Sequence, residues 1–443
     1  MKFIQFGCWN QKKCMIGNPE ANPLSNVMYN LNNRITTQGD IDFLIVSGDN
    51  YYTEKRVNEK KEKEKIIHQE DLISGLNCLP KGIEVNMILG NHDLETQKEE
   101  NPNLYLEEVL PEKLEIRGQC NTLNFEQTFI RNSASNINYD FFISKYDSES
   151  QTLILMIDTS IYDDEDINDM LPCYKYMSNF IKTTDGVVEI RGKQEELIMR
   201  ELTQQSREIR NIIISGHHPL MYYKLKINEK KPEKTKFDII RPFPGFIDLL
   251  TKIYLKVQEL QQKVEYYYLC ADLHLYQQGK VLIPITNASA DGASNDIMII
   301  NQYIVGTGGT ELDINPFSPE HDRISDGRIK NISDGINKDK YELTKIEKKL
   351  AMYTNYLMTP DDIAISNANY GHGFLECTLN PRPSFNFILV SSPSAQAPIT
   401  ALGGSRKKRR TKKYKKYKNK KGSGKKSMKK RTRKLIKIRV NKY

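Results

Sequence analysis

The sequence predicts an α/β layered domain followed by a separate basic tail, and three observations predict it. Short apolar runs end repeatedly in turns rich in Gly, Asp, Asn or His, and helix-like stretches lie between them. From residue 403 the chain passes into a low-complexity segment of Lys, Arg, Gly and Ser. Alternating strand and helix signals define a layered domain over residues 1–400, whereas a low-complexity Lys/Arg run with few apolar residues cannot build a core, so 403–443 is expected to be disordered.

The strand signals come first. Lys2–Phe6 precedes Gly7-Cys8-Trp9-Asn10, Phe43–Ser47 precedes Gly48-Asp49-Asn50-Tyr51-Tyr52, and Glu84–Leu89 precedes Gly90-Asn91-His92-Asp93. Thr152–Ile157 leads into Asp158-Thr159, Asn211–Ser215 into Gly216-His217-His218-Pro219, and Tyr266–Cys270 into Ala271-Asp272-Leu273-His274. Short, often β-branched runs bounded by such turns fit buried strands. Helices are predicted over Glu54–Asn77, Gly192–Glu208 and Gly245–Val264, the first as a solvated Lys/Glu-rich face. Two polar stretches, 96–138 and 315–370, read as insertions, the second with a helix near 341–356. Tyr266-Tyr267-Tyr268 reads as strand packing.

The net charge of +9 averages two unlike parts. Residues 406–443 hold 22 of the 65 Lys and Arg and no Asp or Glu, which leaves 43 basic against 56 acidic residues in the body, a net −13. Such a tail has three readings: sequence-independent binding of nucleic acid through residues 406–443, a nuclear address, or attraction to anionic membranes. The seven cysteines are scattered and lack a CxxC pair, which predicts free thiols and a reducing compartment. The start is polar and no apolar stretch reaches membrane-spanning length, so the expectation is an intracellular protein without a transmembrane segment, in cytoplasm or nucleus. Oligomeric state is not readable.

In layered sheets ligands gather beyond the carboxyl ends of strands, which is where the polar clusters fall. A lone histidine after a strand is usually a packed side chain. Gly-Asp-Asn-x-Tyr, Gly-Asn-His-Asp, Gly-His-x-Pro and Asp-x-His in succession are a different matter. They supply carboxylates, imidazoles, an amide and a phenol, the mixed donor set that Fe, Mn or Zn takes.

On these motifs, over about Met1 to Asp313, the chain resembles the calcineurin-like metallophosphoesterase superfamily, and within it the purple acid phosphatase branch. The resemblance implies a sandwich of two mixed β-sheets flanked by helices. It implies phosphate-ester hydrolysis by water activated between two metal ions, Fe with Zn, Mn or Fe. Asp49 would bridge the ions and Tyr52 would bind the ferric one; Asn91, His217 and His274 would be further ligands. His92 would contact the phosphoryl group, oriented by Asp93, with Asn91 also at the substrate; apart from the resemblance, His218 beside His217 reads as a further substrate contact. Ile157-Asp158-Thr159, Gly306-Thr307-Gly308-Gly309 and His372-Gly373-Phe374-Leu375 echo later elements of the branch.

Two positions depart from its pattern. Cys8 stands where the branch has aspartate, and Asp272 where it has the first histidine of Gly-His-x-His. Both residue types bind metals, so Cys8 and Asp272 complete seven ligand positions. Cys8 also reads as a small buried side chain, and His218 as a supporting or surface group. A second function therefore stays open: a catalytically inactive relative that binds or packages nucleic acid through its tail. The Asn-, Ile- and Lys-rich composition resembles that of proteins of large DNA viruses, which would place the chain in a virion.

Overall fold

The structure is a computed structural model. It describes residues 1–52, 54–57, 63–66, 69–94, 126, 130, 136–164, 170, 173–174, 186–204, 207–226, 236–240, 242–286, 295–313, 363–369 and 371–390. The tail, the expected helix near 341–356 and most of both expected insertions lie outside these residues.

The strands are β1 (Lys2–Phe6), β2 (Phe43–Ser47), β3 (Glu54–Val57), β4 (Lys63–Ile66), β5 (Glu84–Ile88), β6 (Ile137–Tyr139), β7 (Phe142–Asp147), β8 (Thr152–Ile157) and β9 (Asn211–Ser215). They continue with β10 (Tyr222–Lys226), β11 (Lys236–Ile240), β12 (Glu265–Cys270), β13 (Tyr276–Thr286), β14 (Asn295–Val305), β15 (Ile363–Asn369), β16 (Gly373–Thr378) and β17 (Ser384–Leu389). The helices are α1 (Pro23–Gln38), α2 (Gln69–Cys78), α3 (Gly186–Leu202) and α4 (Pro244–Glu259). One sheet runs β17-β16-β1-β2-β5-β6 and the other β15-β13-β14-β12-β9-β8-β7, and both mix parallel and antiparallel pairs.

Period-two alternation explains the layering. Along β2, Phe43 and Ile45 enter the layer between the sheets, while Leu44 and Val46 pack outward with α1 and α2 residues such as Val27 and Leu76. Along β8, Ile154 and Met156 point between the sheets, and Leu153, Leu155 and Ile157 point to the face covered by α3 and α4. A strand apolar on both faces is what such a three-interface sandwich demands. The Tyr266–Tyr268 run obeys the same rule, Tyr267 facing between the sheets and its neighbours facing the helices.

Several expectations are corrected. The Lys/Glu-rich stretch from Glu54 is the hairpin β3–β4 and only then a helix, α2. It has no apolar stripe at 3.6-residue spacing, and in the strand register Arg56 is the backbone partner of Glu64. α3 begins six residues before Gly192, and α4 ends at Glu259. The ends of the two expected insertions are strands, β6 and β15, each on the edge of a sheet. Helix α1 was not anticipated, although it carries readable signals. Asn22 caps it by accepting from Ser25 N, Pro23 opens it, and Gly39 closes it at φ 61°.

The cysteine reading fails. Cys14 and Cys78, with Cα atoms 6.4 Å apart, form a disulfide, and Cys173 is disulfide-bonded too. Cys8, Cys270 and Cys377 are free and buried. A separation of 64 residues carries no pairing signal in sequence, whereas folding brings the two Cα atoms within bridging distance. Among the described residues no helix is long and apolar enough to cross a membrane.

Candidate metal centre

The register of both sheets lines up their carboxyl ends. Phe6 pairs with Val46 and Ser47 with Ile88 in one sheet, and Ser215 pairs with Leu269 in the other. Beyond these ends stand Cys8 after β1, Asp49 and Tyr52 after β2, and Asn91, His92 and Asp93 after β5. His217 and His218 follow β9, and Asp272 and His274 follow β12. Cys8, Asp49 and Asp272 have φ of 52°, 52° and 51°, the left-handed region that non-glycine residues seldom enter. Such backbone persists only where the surroundings enforce it, and it gathers at functional sites. Gly90 permits a close approach of the two loops, since a Cβ there would collide with the backbone nitrogen and carboxylate of Asp49.

The seven expected ligand residues come together around Asp49, which is 1% exposed. Asp49 Oδ2 accepts from Tyr52 Oη at 2.7 Å and lies 4.0 Å from Cys8 Sγ; Tyr52 Oη is 3.0 Å from His274 Nε2. Asp49 Oδ1 is 3.2 Å from His217 Nε2, which is 3.1 Å from Asn91 Oδ1 and 3.8 Å from Asp272 Oδ1. One oxygen thus meets a phenol and a thiol, with His274 reached through Tyr52; the other meets the His217 imidazole, with Asn91 and Asp272 reached through His217. Cys8–Asp49–His217 and His217–His218–Asp272 each bring three potential ligand atoms within 4.8 Å of one another.

Neighbouring groups aim these side chains. His217 Nδ1 meets Ser47 O at 2.8 Å, which directs Nε2 to Asp49. His274 Nδ1 meets Glu311 O at 2.8 Å, and its backbone N–H donates to Asp313 Oδ2. The Tyr222 hydroxyl faces Asp272. Thr159 Oγ1 accepts the backbone N–H of both His217 and His218 and lies 3.0 Å from His218 Nδ1. His92 donates its backbone N–H to Asp49 Oδ1 and stacks obliquely on Tyr52, ring centroids 4.5 Å apart.

Asp93, expected to orient His92, receives hydrogen bonds from Gly90 N, Asn50 N and Asn50 Nδ2. It therefore braces the loop that carries His92 against the loop that carries Asp49. Behind it sits buried Glu126, which accepts from Tyr139 Oη at 2.5 Å.

The electrostatics are those of a site crowded with acceptors. Burial opposes charge on Asp49, yet His217 and His92 hold it well below the usual carboxylate range. Burial lowers the pKa of His217, but Asp49 and Asp272 outweigh it and raise it to about 9. Burial and then the Asp49 charge push the Cys8 thiol and the Tyr52 phenol well up. The shifts of His217, Cys8 and Tyr52 all say that the ionised Asp49 makes the cluster favour added positive charge, and bound cations reverse this logic by holding thiolate and phenolate. The donor set, oxygen and nitrogen with one sulfur, fits transition-metal ions.

Thr159, Ser47, Asp313, Glu126 and Tyr222 were not readable as site residues. Only Thr159 left a trace in sequence, as part of the strand-end Asp158-Thr159 turn.

A fold of two mixed sheets with such a cluster at the carboxyl ends defines a class, and the class has a family. The sequence model described as calcineurin-like phosphoesterase matches residues 1–241, and the chain belongs to that family. Among solved structures the chain is similar to PhoD, at 10% identity and a TM-score of 0.40, over 87% of this chain and 68% of that one. It is similar to purple acid phosphatase PPD1 from yellow lupin (Lupinus luteus) seeds, at 13% identity and a TM-score of 0.33, over 85% of this chain and 49% of that one. A novel archaeal phosphodiesterase is matched over its whole length and 54% of this chain, at 8% identity and a TM-score of 0.20. The chain spans about half the length of the lupin enzyme. No curated protein sequence matches it.

Proposed function

We propose that this chain hydrolyses phosphate esters with two metal ions, which Cys8, Asp49, Tyr52, Asn91, His217, Asp272 and His274 would hold. The observation that carries the reading is the convergence on the Asp49 carboxylate: Tyr52 and Cys8 at Oδ2, with His274 against Tyr52, and His217 at Oδ1, with Asn91 and Asp272 against His217. When bound, the ions would lower the pKa of water, orient the phosphate and neutralise developing charge.

The protein's own groups then have defined tasks. Asp49, held ionised, keeps the two ligand sets in register. His92, on the rim beside Tyr52, donates to phosphoryl oxygens and serves the leaving alkoxide, with Asp93 fixing its loop. Asn91 and His218 complete the polar wall. The loop backbone is pre-set by hydrogen bonds before substrate arrives, so little reorganisation is left to oppose catalysis.

The Lys/Arg-rich stretch 406–443 supports a second, separable role in holding nucleic acid by its phosphates. The disulfide-bonded cysteines remove the thiol argument for a reducing compartment, so a cytoplasmic, nuclear or virion location rests on composition alone.

Metal analysis of purified protein, with turnover of a chromogenic aryl phosphate, tests the proposal. About two ions per chain and metal-dependent hydrolysis are expected. In an iron-loaded sample, a visible tyrosinate absorption that disappears in Tyr52→Phe would place iron on the Cys8 side. Protein that binds no ion and stays inert with Fe, Mn and Zn would leave only the nucleic-acid-binding role.

A further inference from the structure

The turn Asp158-Thr159-Ser160 touches no expected ligand position by sequence, yet it is among the most over-determined segments of the fold. Asp158 is buried and accepts from Ser160 N at 2.8 Å and Tyr174 Oη at 2.5 Å. Its carbonyl and that of Phe141 accept from Gln194 Nε2, and Tyr162 Oη donates to Gln194 Oε1. Thr159, fully buried, points its hydroxyl at the His217-His218 loop. Gln302 holds the far side of that loop, its Oε1 accepting from Leu220 N and Met221 N and its Nε2 donating to Met221 O.

A threonine hydroxyl has one proton to give and two lone pairs to fill. Both lone pairs of Thr159 Oγ1 are taken, by His217 N at 3.1 Å and His218 N at 3.0 Å. The third neighbour is His218 Nδ1, 3.0 Å away. Tyr268 Oη also lies beside Thr159, but it donates its proton to His218 O at 2.6 Å. Whether the Thr159 proton goes to Tyr268 Oη or to His218 Nδ1, both of its lone pairs are already taken, so Oγ1 has none left to accept an N–H from Nδ1. Nδ1 therefore carries no proton and presents its lone pair to the hydroxyl. A neutral imidazole that accepts at Nδ1 carries its proton at Nε2.

We propose that His218 is a phosphoryl-oxygen donor through Nε2–H rather than a metal ligand, and that Thr159 is the positioning residue that fixes this tautomer. The proposal rests on the phosphoesterase reading for its substrate and on hydrogen-bond accounting alone for its tautomer. It resolves an ambiguity in the cluster, where His218, His217 and Asp272 stand close enough to be mistaken for three ligands of one ion. His217 fills its site with Nε2 because Ser47 O takes Nδ1–H; His218, with the opposite pairing, has no lone pair left to offer. Two adjacent histidines thus take opposite tautomers and opposite jobs.

The experiment uses full-length protein as wild type, His218→Ala, His218→Gln, Thr159→Ser and Thr159→Val, loaded with Zn and also metal-free. Metal content, kcat and KM for an aryl phosphate, and the nitrogen shifts of 15N-labelled histidine are measured. His218→Ala identifies the His218 signals among the seven histidines. Expected is an Nε2–H pattern for His218 with and without metal, and full metal content in His218→Ala with kcat lower by roughly a hundredfold. His218→Gln, which keeps a donor at the Nε2 position, should recover to within about tenfold of wild type. Thr159→Ser should match wild type, and Thr159→Val should retain metal while losing the His218 tautomer and part of kcat. Loss of one ion in His218→Ala, or an Nδ1–H pattern in wild type, overturns the proposal even should Thr159→Val fail to fold. Wild-type protein without metal or activity would instead overturn the phosphoesterase reading and leave the tautomer to be judged from the metal-free spectra.

Discussion

At Asp272, a proposed ligand, the backbone is strained. A left-handed φ of 51° at a residue with a Cβ costs on the order of 1–2 kcal/mol, and the side chain adds a second negative charge near Asp49. Replacing it by glycine removes both costs. Asp272→Gly should therefore make metal-free protein more stable by about 1 kcal/mol in urea unfolding, while metal affinity falls, the trade between stability and function that strained sites impose. A second residue-scale prediction concerns Asp158. Burial raises its carboxyl to about 6, against the hydrogen bonds from Tyr174 and Ser160, so the folded protein holds this proton more tightly than the unfolded chain. The stability it contributes is complete below pH 4 and is lost as pH rises to about 6, on the order of 3 kcal/mol across the window. In urea titrations of metal-free protein, Asp158→Asn should remove that part of the pH dependence.

Between elements, the covalent tie from Cys14 to Cys78 fastens the loop after β1 to the end of α2. That loop begins with Cys8, and Asn10 donates to Leu72 O while Cys14 N donates to Ser74 Oγ. Closing a span of 64 residues should be worth roughly 4 kcal/mol in the chain-entropy account. Cys14→Ser with Cys78→Ser should lower the melting temperature by several degrees and also weaken binding at the Cys8 side, since the loop loses its anchor. The disulfide was illegible in the sequence because distance along the chain says nothing about a pairing made by packing. The strands with functional turns were legible for the opposite reason. Each announces itself locally, through a β-branched run and a small residue where the chain must turn. Glu54–Ile66 misled because lysine and glutamate favour helices on their own, while a hairpin needs only its cross-strand partners. The polar residues that gather at the strand ends could be read from the turn after each strand, and the resemblance proposed which of them would be ligands. The groups that aim them, Ser47 O, Thr159 and Asp313, could not, because a backbone carbonyl or a hydroxyl has no signature until the strands are laid side by side.

Over the whole molecule, charge is divided between an acidic body and the stretch 406–443. If that stretch holds nucleic acid, deleting it should leave aryl phosphate turnover unchanged and abolish retention on DNA or RNA at low salt. The salt dependence of retention by the full chain should be steep, because each neutralised phosphate releases counterions. Unchanged retention would dismiss the role. The body carries a further consequence of its layering. Cys8, Asp49 and Asn91 hang from one sheet, and His217, Asp272 and His274 from the other. An ion held by His217 together with Asp49 would be a rivet through the seam of the sandwich, and its binding energy would be folding energy for both layers at once. Chelation should then do more than silence the protein: it should let the rims of the two sheets part first, and amide exchange at the ends of β2 and β9 should quicken together.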